Sequence, residues 1–580
     1  MRTPSSIPVL LLALAPLALA CAGKAPAPPP ADLVLTNGRI VTLSPDRPEA
    51  SALAARQGRI VAVGTDDEIL RHVGHGTRRI DLQGRLAVPG LIDGHAHFSS
   101  IGEAAMTLRL AGEPTWEAIV ERVGRAVAES QPGEWIIGRG WHQEKWQHPP
   151  AASIEGFPVH ATLSAISPDN PVVLQHASGH ALFVNAAAMK AAGIDRTTPD
   201  PAGGEILHDA AGEPTGLLRE TAEELIDGAR TNDLTLGPPE RRQERARKSL
   251  RLANREVLSK GITTLHDAGS TYEDLDLLAT MAESGEIGVR LNVMVRDEIA
   301  RHRERLATAR RVGAAGGKLT VRSIKTYMDG ALGSRGAWLL EPYSDSPGST
   351  GLATTPLETI RELAQLALAN DYQLCVHAIG DRANRETLDI FEQAFATAPS
   401  KHDLRWRIEH AQHLDPADIP RFSKLGVIAS MQAIHCTSDA PFVIARLGER
   451  RAREGAYVWR SLVDSGATVV NGTDAPVEDV DPIPNFHAAV TRRLADGGRF
   501  FPEQSLTRME ALETLTRNGA WAAFEENEKG TLEPGKLADV TVLTKNILDI
   551  PEEEILDARV AYTIVGGEVL YDADAPVEAP

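Results

Sequence analysis

The sequence predicts an α/β chain: a (β/α)8 (TIM) barrel, a small composite β-sandwich domain formed by N- and C-terminal segments, and a large insertion after barrel strand one. Three observations predict it. Strand-like apolar runs alternate with amphipathic helices through the middle of the chain, which implies parallel strands with helices outside. Short strand-and-turn texture occurs near both ends, and chain ends usually lie close together. Several of the central runs end in polar residues, and in such barrels the chemistry sits at the C-terminal strand ends.

A chain of 580 residues has room for one large barrel plus a second domain. Its 42% hydrophobic and 24% charged content belongs to a globular protein and excludes disordered and fibrous classes. With 60 basic against 79 acidic residues, a net charge of -19 and no isolated Lys/Arg block, nucleic acid is excluded as a partner.

In chain order, residues 1–20 read as an export signal: Arg2 is the positive start, 8–20 the apolar stretch, and Ala18-Leu19-Ala20 the small-residue cleavage site. Cys21 and the small residues after it favour a lipidated cysteine over simple secretion, although Ala18 stands where Leu or Val is usual. The expectation is an exported bacterial protein, periplasmic or anchored to the outer membrane as a lipoprotein. Residues 21–31 form an Ala/Pro linker. Strand runs at 32–36, 38–43 and 58–64, matched by 538–543 and 560–570, assign a β-domain to 32–88 and 526–574, with a tail at 575–580. Cys375 and Cys436 need no disulfide in a chain with so large a core.

The barrel occupies 89–525, including an insertion at about 105–250. Its strands are expected at 86–97, 262–267, 290–295, 321–325, 373–377, 407–410, 427–432 and 467–474. A ninth run at 172–176 goes to the insertion, because the gap from His97 to Ile262 far exceeds a normal crossover.

The first strand ends in Asp93-Gly94-His95-Ala96-His97, and alternate strand residues share a face, so His95 and His97 can converge on one ion. The same register puts Lys325 on strand four, His377 on five, His410 on six and Asp474 on eight. Imidazole and carboxylate suit zinc or a similar borderline divalent ion. An ammonium is a poor ligand, so Lys325 would serve as a carbamate formed with carbon dioxide, whose two oxygens can bridge two ions.

These stretches resemble the amidohydrolase superfamily, in its branch of N-substituted formamide deformylases. The matching segments are Pro89-Gly90-Leu91-Ile92-Asp93-Gly94-His95-Ala96-His97, Gly261-Ile262-Thr263-Thr264-Leu265-His266-Asp267-Ala268-Gly269, Lys325-Thr326-Tyr327-Met328-Asp329-Gly330, Val376-His377-Ala378-Ile379-Gly380-Asp381, Arg407-Ile408-Glu409-His410-Ala411-Gln412 and Asn471-Gly472-Thr473-Asp474-Ala475-Pro476. Gly530-Thr531-Leu532-Glu533-Pro534-Gly535-Lys536-Leu537-Ala538-Asp539 is similar to that superfamily's return to the β-domain. The resemblance implies a metal site of His95, His97, Lys325, His377, His410 and Asp474. In the superfamily's pattern, one ion takes His95, His97 and Asp474, and a second takes His377 and His410 with carbamylated Lys325 bridging; a single-ion site is the alternative. Two such ions, zinc by ligand type, supply a metal-activated hydroxide for amide-type C–N hydrolysis, with Asp474 as proton shuttle.

The expected substrate is a small-molecule N-formyl or N-acyl amine or related amide. Ester, carbamate or cyclic amide hydrolysis, or an isomerisation, on the same site is one alternative; a non-catalytic exported ligand-binding protein is another. Around the site, His180 can polarise the substrate carbonyl or hold a loop, and Trp141 is a substrate wall or packing. Asp329 and Arg335, in the Gly-rich loop after Lys325, can grip a carboxylate or amide, or brace the loop. His266 and Asp267 can orient ligands; His413 and His435 can line the rim. Barrels of this kind often pair through outer helices, so a homodimer is expected.

Overall fold

The structure, a computed structural model, describes residues 28–575 apart from 144–145, 177–180, 202–203, 237 and 334. The signal segment, Cys21, most of the linker, the tail beyond 575 and His180 lie outside the described residues.

The central sheet contains eight parallel strands in sequence order: β1 (Leu91–Ala96), β2 (Ile262–Ser270), β3 (Arg290–Val295), β4 (Leu319–Tyr327), β5 (Gln373–Ala378), β6 (Arg407–His410), β7 (Ile428–Met431) and β8 (Val469–Asn471). Helical crossovers make this order natural. The helix Leu357–Asn370 between β4 and β5 buries Ile360, Leu363, Ala364, Ala367 and Leu368, a stripe at helical spacing that packs on the sheet's outer face. It ends where Asp371 adopts a left-handed conformation.

Closure brings β8 against β1. A side chain on Gly94 would put its Cβ 2.3 Å from Val470 Cγ1, and one on Gly472 would lie 2.4 Å from the His95 nitrogen. Glycine at both positions lets the two backbones touch. Asp474 N then donates to His95 O at 2.7 Å, and His97 N to Ala475 O at 2.8 Å.

One expected strand is corrected. The run 86–97 is two strands, because Leu86–Pro89 leaves the barrel and pairs antiparallel with Val540–Leu543. That pairing stitches the chain's two ends into one six-stranded sheet, which also contains Arg39–Val41, Glu49–Ala50, Val560–Val565 and Glu568–Asp572. A four-stranded sheet of Arg59–Gly64, Ala52–Arg56, Leu33–Thr36 and Arg78–Asp81 packs on it through Leu35, Leu53, Ile60, Val540 and Ile564.

Between β1 and β2 the insertion builds its own six-stranded sheet, whose parallel part consists of Thr107–Arg109, Ile136–Trp141 and Val172–His176. Leu110, Trp116, Ile119, Leu174 and Phe183 form part of its separate apolar core. Among the described residues, no helix is long and apolar enough to cross a membrane.

Candidate metal centre

His95 points into the barrel from β1 and is fully buried. Its Nδ1 lies 2.5 Å from Glu409 Oε2. A carboxylate can only accept there, so the proton sits on Nδ1 and the lone pair of Nε2 faces the barrel mouth. His97, one turn of the pleat further on, places Nε2 3.1 Å from Asp474 Oδ1, and His95 Nε2 is 3.5 Å from the same oxygen. Donor atoms of these three side chains lie within 4.8 Å of one another.

Asp474 also belongs to a second group of the same tightness, with His410 and His435. The His410 Nδ1 is 2.8 Å from the Gln432 amide oxygen, which again fixes the proton on Nδ1. His435 sets Nε2 3.7 Å from Asp474 Oδ2, while Gln412 holds its other nitrogen at 3.1 Å. The ring of His377 packs 4.4 Å from that of His410, centroid to centroid, but its Nε2 faces Asp329 Oδ1 at 3.6 Å. Buried Lys325 extends its Nζ over the Tyr327 ring at 4.4 Å, and Tyr327 in turn packs on His377.

The donor chemistry fits divalent cations. Among the described residues, the buried Nε2 atoms of His95, His377 and His435 and the Nζ of Lys325 have no hydrogen-bond partner. Buried polar atoms are normally satisfied, and unpaired imidazole nitrogens grouped with a carboxylate are a donor set that suits a divalent ion. Burial, aided by the charge of Lys325, lowers His95 to about 4, and burial lowers His410 to about 3, so both rings are neutral at pH 7. Burial works to raise the Asp474 carboxyl, but the hydrogen bond from His97 and the electrostatic influence of the surrounding histidine rings hold it well below the usual range. Both His410 and Asp474 have positive φ, 75° and 58°, a conformation that turns their side chains into the mouth.

Behind the donors lies a charged brace that the sequence reading did not single out. Arg407, buried in the barrel, grips Glu409 through Nε at 2.7 Å and Nη2 at 2.9 Å. The same guanidinium reaches Gly94 O, Ser430 Oγ and His266 Nδ1 at 2.7, 2.6 and 2.9 Å. Burial opposes ionisation of Glu409, but Arg407 and His95 hold its carboxyl well below the ordinary value. At the seam, Asp93 accepts from Thr473 N, Thr473 Oγ1 and His95 N at 3.0, 2.5 and 3.1 Å. Asp267, on β2, accepts from Phe98 N at 2.9 Å, at the start of the helix that follows β1.

Three residues offered for substrate binding or for packing and bracing have the following partners. Trp141 is buried in the insertion's core, with its indole donating to Leu174 O at 2.8 Å. Asp329 accepts from the backbone N–H groups of Trp338, Ile379 and Gly380 at 2.8–2.9 Å and braces the loop. Arg335 is bound bidentately by Asp345, at 3.2 and 2.9 Å. His413 is buried against Tyr457.

An eight-stranded parallel barrel with clustered imidazoles and a carboxylate at its C-terminal rim defines the class of metal-dependent hydrolases. Residues 78–571 match the model of the amidohydrolase family, and the chain belongs to that family. It is 34% identical over 556 residues to Protein LONG AFTER FAR-RED 3 of Arabidopsis thaliana, covering 93% of this chain and 92% of that one. Identity to the N-substituted formamide deformylase of Arthrobacter pascens is 27% over 553 residues, covering 93% and 98%. A metal-dependent hydrolase from Pyrococcus furiosus superposes with a TM-score of 0.69 at 26% identity, over 89% of this chain and all of that one (100%).

Proposed function

We propose that this hydrolase cleaves the amide-type C–N bond of an N-formyl or N-acyl amine. The observation that carries the reading is the convergence of His95, His97, His410 and His435 on the Asp474 carboxylate, in two groups whose donor atoms each lie within 4.8 Å of one another. A relative of matching length named for formamide deformylation supports the choice of bond.

His95, His97 and Asp474 would hold one ion; His410 and His377, with Lys325 as a carbamate, would hold the second, zinc in both by ligand type. The carbamate forms when the Lys325 amine adds to carbon dioxide with loss of one proton. When bound, such ions acidify water and polarise a carbonyl oxygen. Asp474 accepts the proton of the attacking water and returns it to the departing nitrogen. Glu409 and Gln432 keep the ring protons of His95 and His410 on the nitrogens turned away from the mouth. We also propose, from the sequence of residues 1–21, that the protein is exported and lipidated on Cys21; mass spectrometry of the N-terminal peptide tests this.

The function is tested by metal analysis of protein expressed with bicarbonate, followed by turnover on matched N-formyl amines, esters and cyclic ureides. About two ions per chain and preference for the N-formyl amine are expected. Asp474→Asn should lower turnover by about 10²-fold or more while the circular dichroism spectrum is kept. Full activity in that variant would overturn the assignment of Asp474.

A further inference from the structure

A cleft of about 1010 Å³ separates the insertion from the barrel rim. One wall is formed by residues that directly follow the metal centre: the segment from Ala475 to Val480 after Asp474, and the helix Phe98–Ala105 after His97. The facing wall is the insertion sheet. There Arg109, Arg139 and Gln175 stand in register across three parallel strands, near their C-terminal ends. Residues in register on neighbouring strands point to the same face, so two guanidiniums and an amide form one row along the cleft.

That row is electrostatically incomplete. Both arginines are exposed, and among the described residues neither has an ion pair or side-chain hydrogen bond. Other arginines of the same cleft are matched: Arg122 with Glu113 at 2.6 Å and Arg230 with Asp227 at 3.2 Å. Like charges side by side on adjacent strands repel. Across the cleft, Asp479 is turned to Lys260 at 3.6 Å and Glu478 pairs with neither arginine. Carboxyl ends of parallel strands are also where open α/β sheets receive ligands.

We propose that the Arg109–Arg139–Gln175 row binds the carboxylate of a small organic acid lodged in this cleft. Two guanidiniums match the two oxygens of a carboxylate, and the amide supplies a further donor. The acidic residues on the opposite wall disfavour a polyanion, and a cleft of this size accommodates an organic body attached to the charge. The carboxylate comes either from the far end of the substrate or from a separate acid; only the first source rests on the hydrolase reading.

The test uses metal-loaded protein and two probes without a hydrolysable bond, 3-phenylpropionate and the neutral 3-phenylpropanol. In calorimetric titrations, Arg109→Gln and Arg139→Gln should each weaken 3-phenylpropionate about tenfold or more, the loss expected for a hydrogen bond to a charged group. Arg230→Gln should leave it unchanged, and 3-phenylpropanol should bind weakly and equally to all four proteins. Equal affinity of 3-phenylpropionate for wild type and both row variants, or equal binding of the alcohol and the acid, overturns the proposal. Competitive inhibition of N-formyl amine turnover, lost in Arg139→Gln, identifies the substrate's own end as the source; binding without inhibition identifies a separate acid. Should no turnover be found at all, the hydrolase reading fails while the titration still decides the row.

Discussion

Replacing Glu409 with Gln separates what the barrel's charged brace does for folding from what it does for the metal. The side chain is wholly buried and serves two donors at once, Arg407 and His95 Nδ1. At an effective dielectric of about 20, unit charges about 4 Å apart attract by about 4 kcal/mol, and breaking a buried pair from one side costs about 3–5 kcal/mol. Glu409→Gln should therefore lose a stability of that order, read from the urea transition of the metal-free protein. The amide cannot accept from both donors in the geometry of the carboxylate. If its NH2 faces His95, the ring proton moves to Nε2 and blocks coordination. Loss of such a partner typically weakens metal binding 10–100-fold, which competition calorimetry with zinc measures. The double variant Arg407→Met/Glu409→Leu removes both charges, so its stability should return to within about 1–2 kcal/mol of wild type. Its zinc affinity should stay low, because His95 still lacks an acceptor. Restored zinc affinity in the double variant, or unchanged affinity in folded Glu409→Gln, would refute the positioning role.

Two further outcomes follow from the same geometry. Gly472→Ala places a Cβ 2.4 Å from His95 N and 2.8 Å from His95 O, so the β1–β8 seam must open; about 1–3 kcal/mol of stability and much of the bound metal should be lost, read by thermal unfolding and elemental analysis. At the opposite end of the barrel, Arg290 Nε and Nη2 bind Asp539 at 2.7 and 2.9 Å, and although burial works to raise the Asp539 carboxyl, Arg290 depresses it below the ordinary 3.8. A depressed carboxylate stabilises above its unfolded value and stops doing so as pH falls through the folded one. The unfolding free energy from urea titrations should thus decline below about pH 4 through this group, and Asp539→Asn should lower it by about 3–5 kcal/mol at neutral pH while flattening that acid limb.

The strand ends were legible because β-strands with buried faces announce themselves as apolar runs, and several of the runs here end in a polar residue that has no place in the outer layer. That is how His95, Lys325, His377, His410 and Asp474 could be placed on one rim before any coordinates. What alternation could not give was the direction of His410. In β6, Arg407 and Glu409 face the interior and Ile408 packs outward against the helices, so a regular strand would turn His410 outward as well. The positive φ of 75° at His410 reverses it, and no local pattern encodes that reversal. The same strand shows why Glu409 escaped notice: its role exists only through partners 314 positions away in sequence at His95 and two positions away at Arg407. At Trp141 and Arg335 the sequence left two readings open for the complementary reason. Whether an aromatic ring on a short strand faces a cleft or a core depends on which strands flank it, and whether a loop arginine is free depends on an acid such as Asp345 arriving at 2.9 Å. Sequence periodicity therefore locates the donors of a barrel site well, because their placement is a property of single strands. It locates the groups that orient those donors poorly, because orientation is set by contacts between strands, and the Glu409 variants probe that second layer directly.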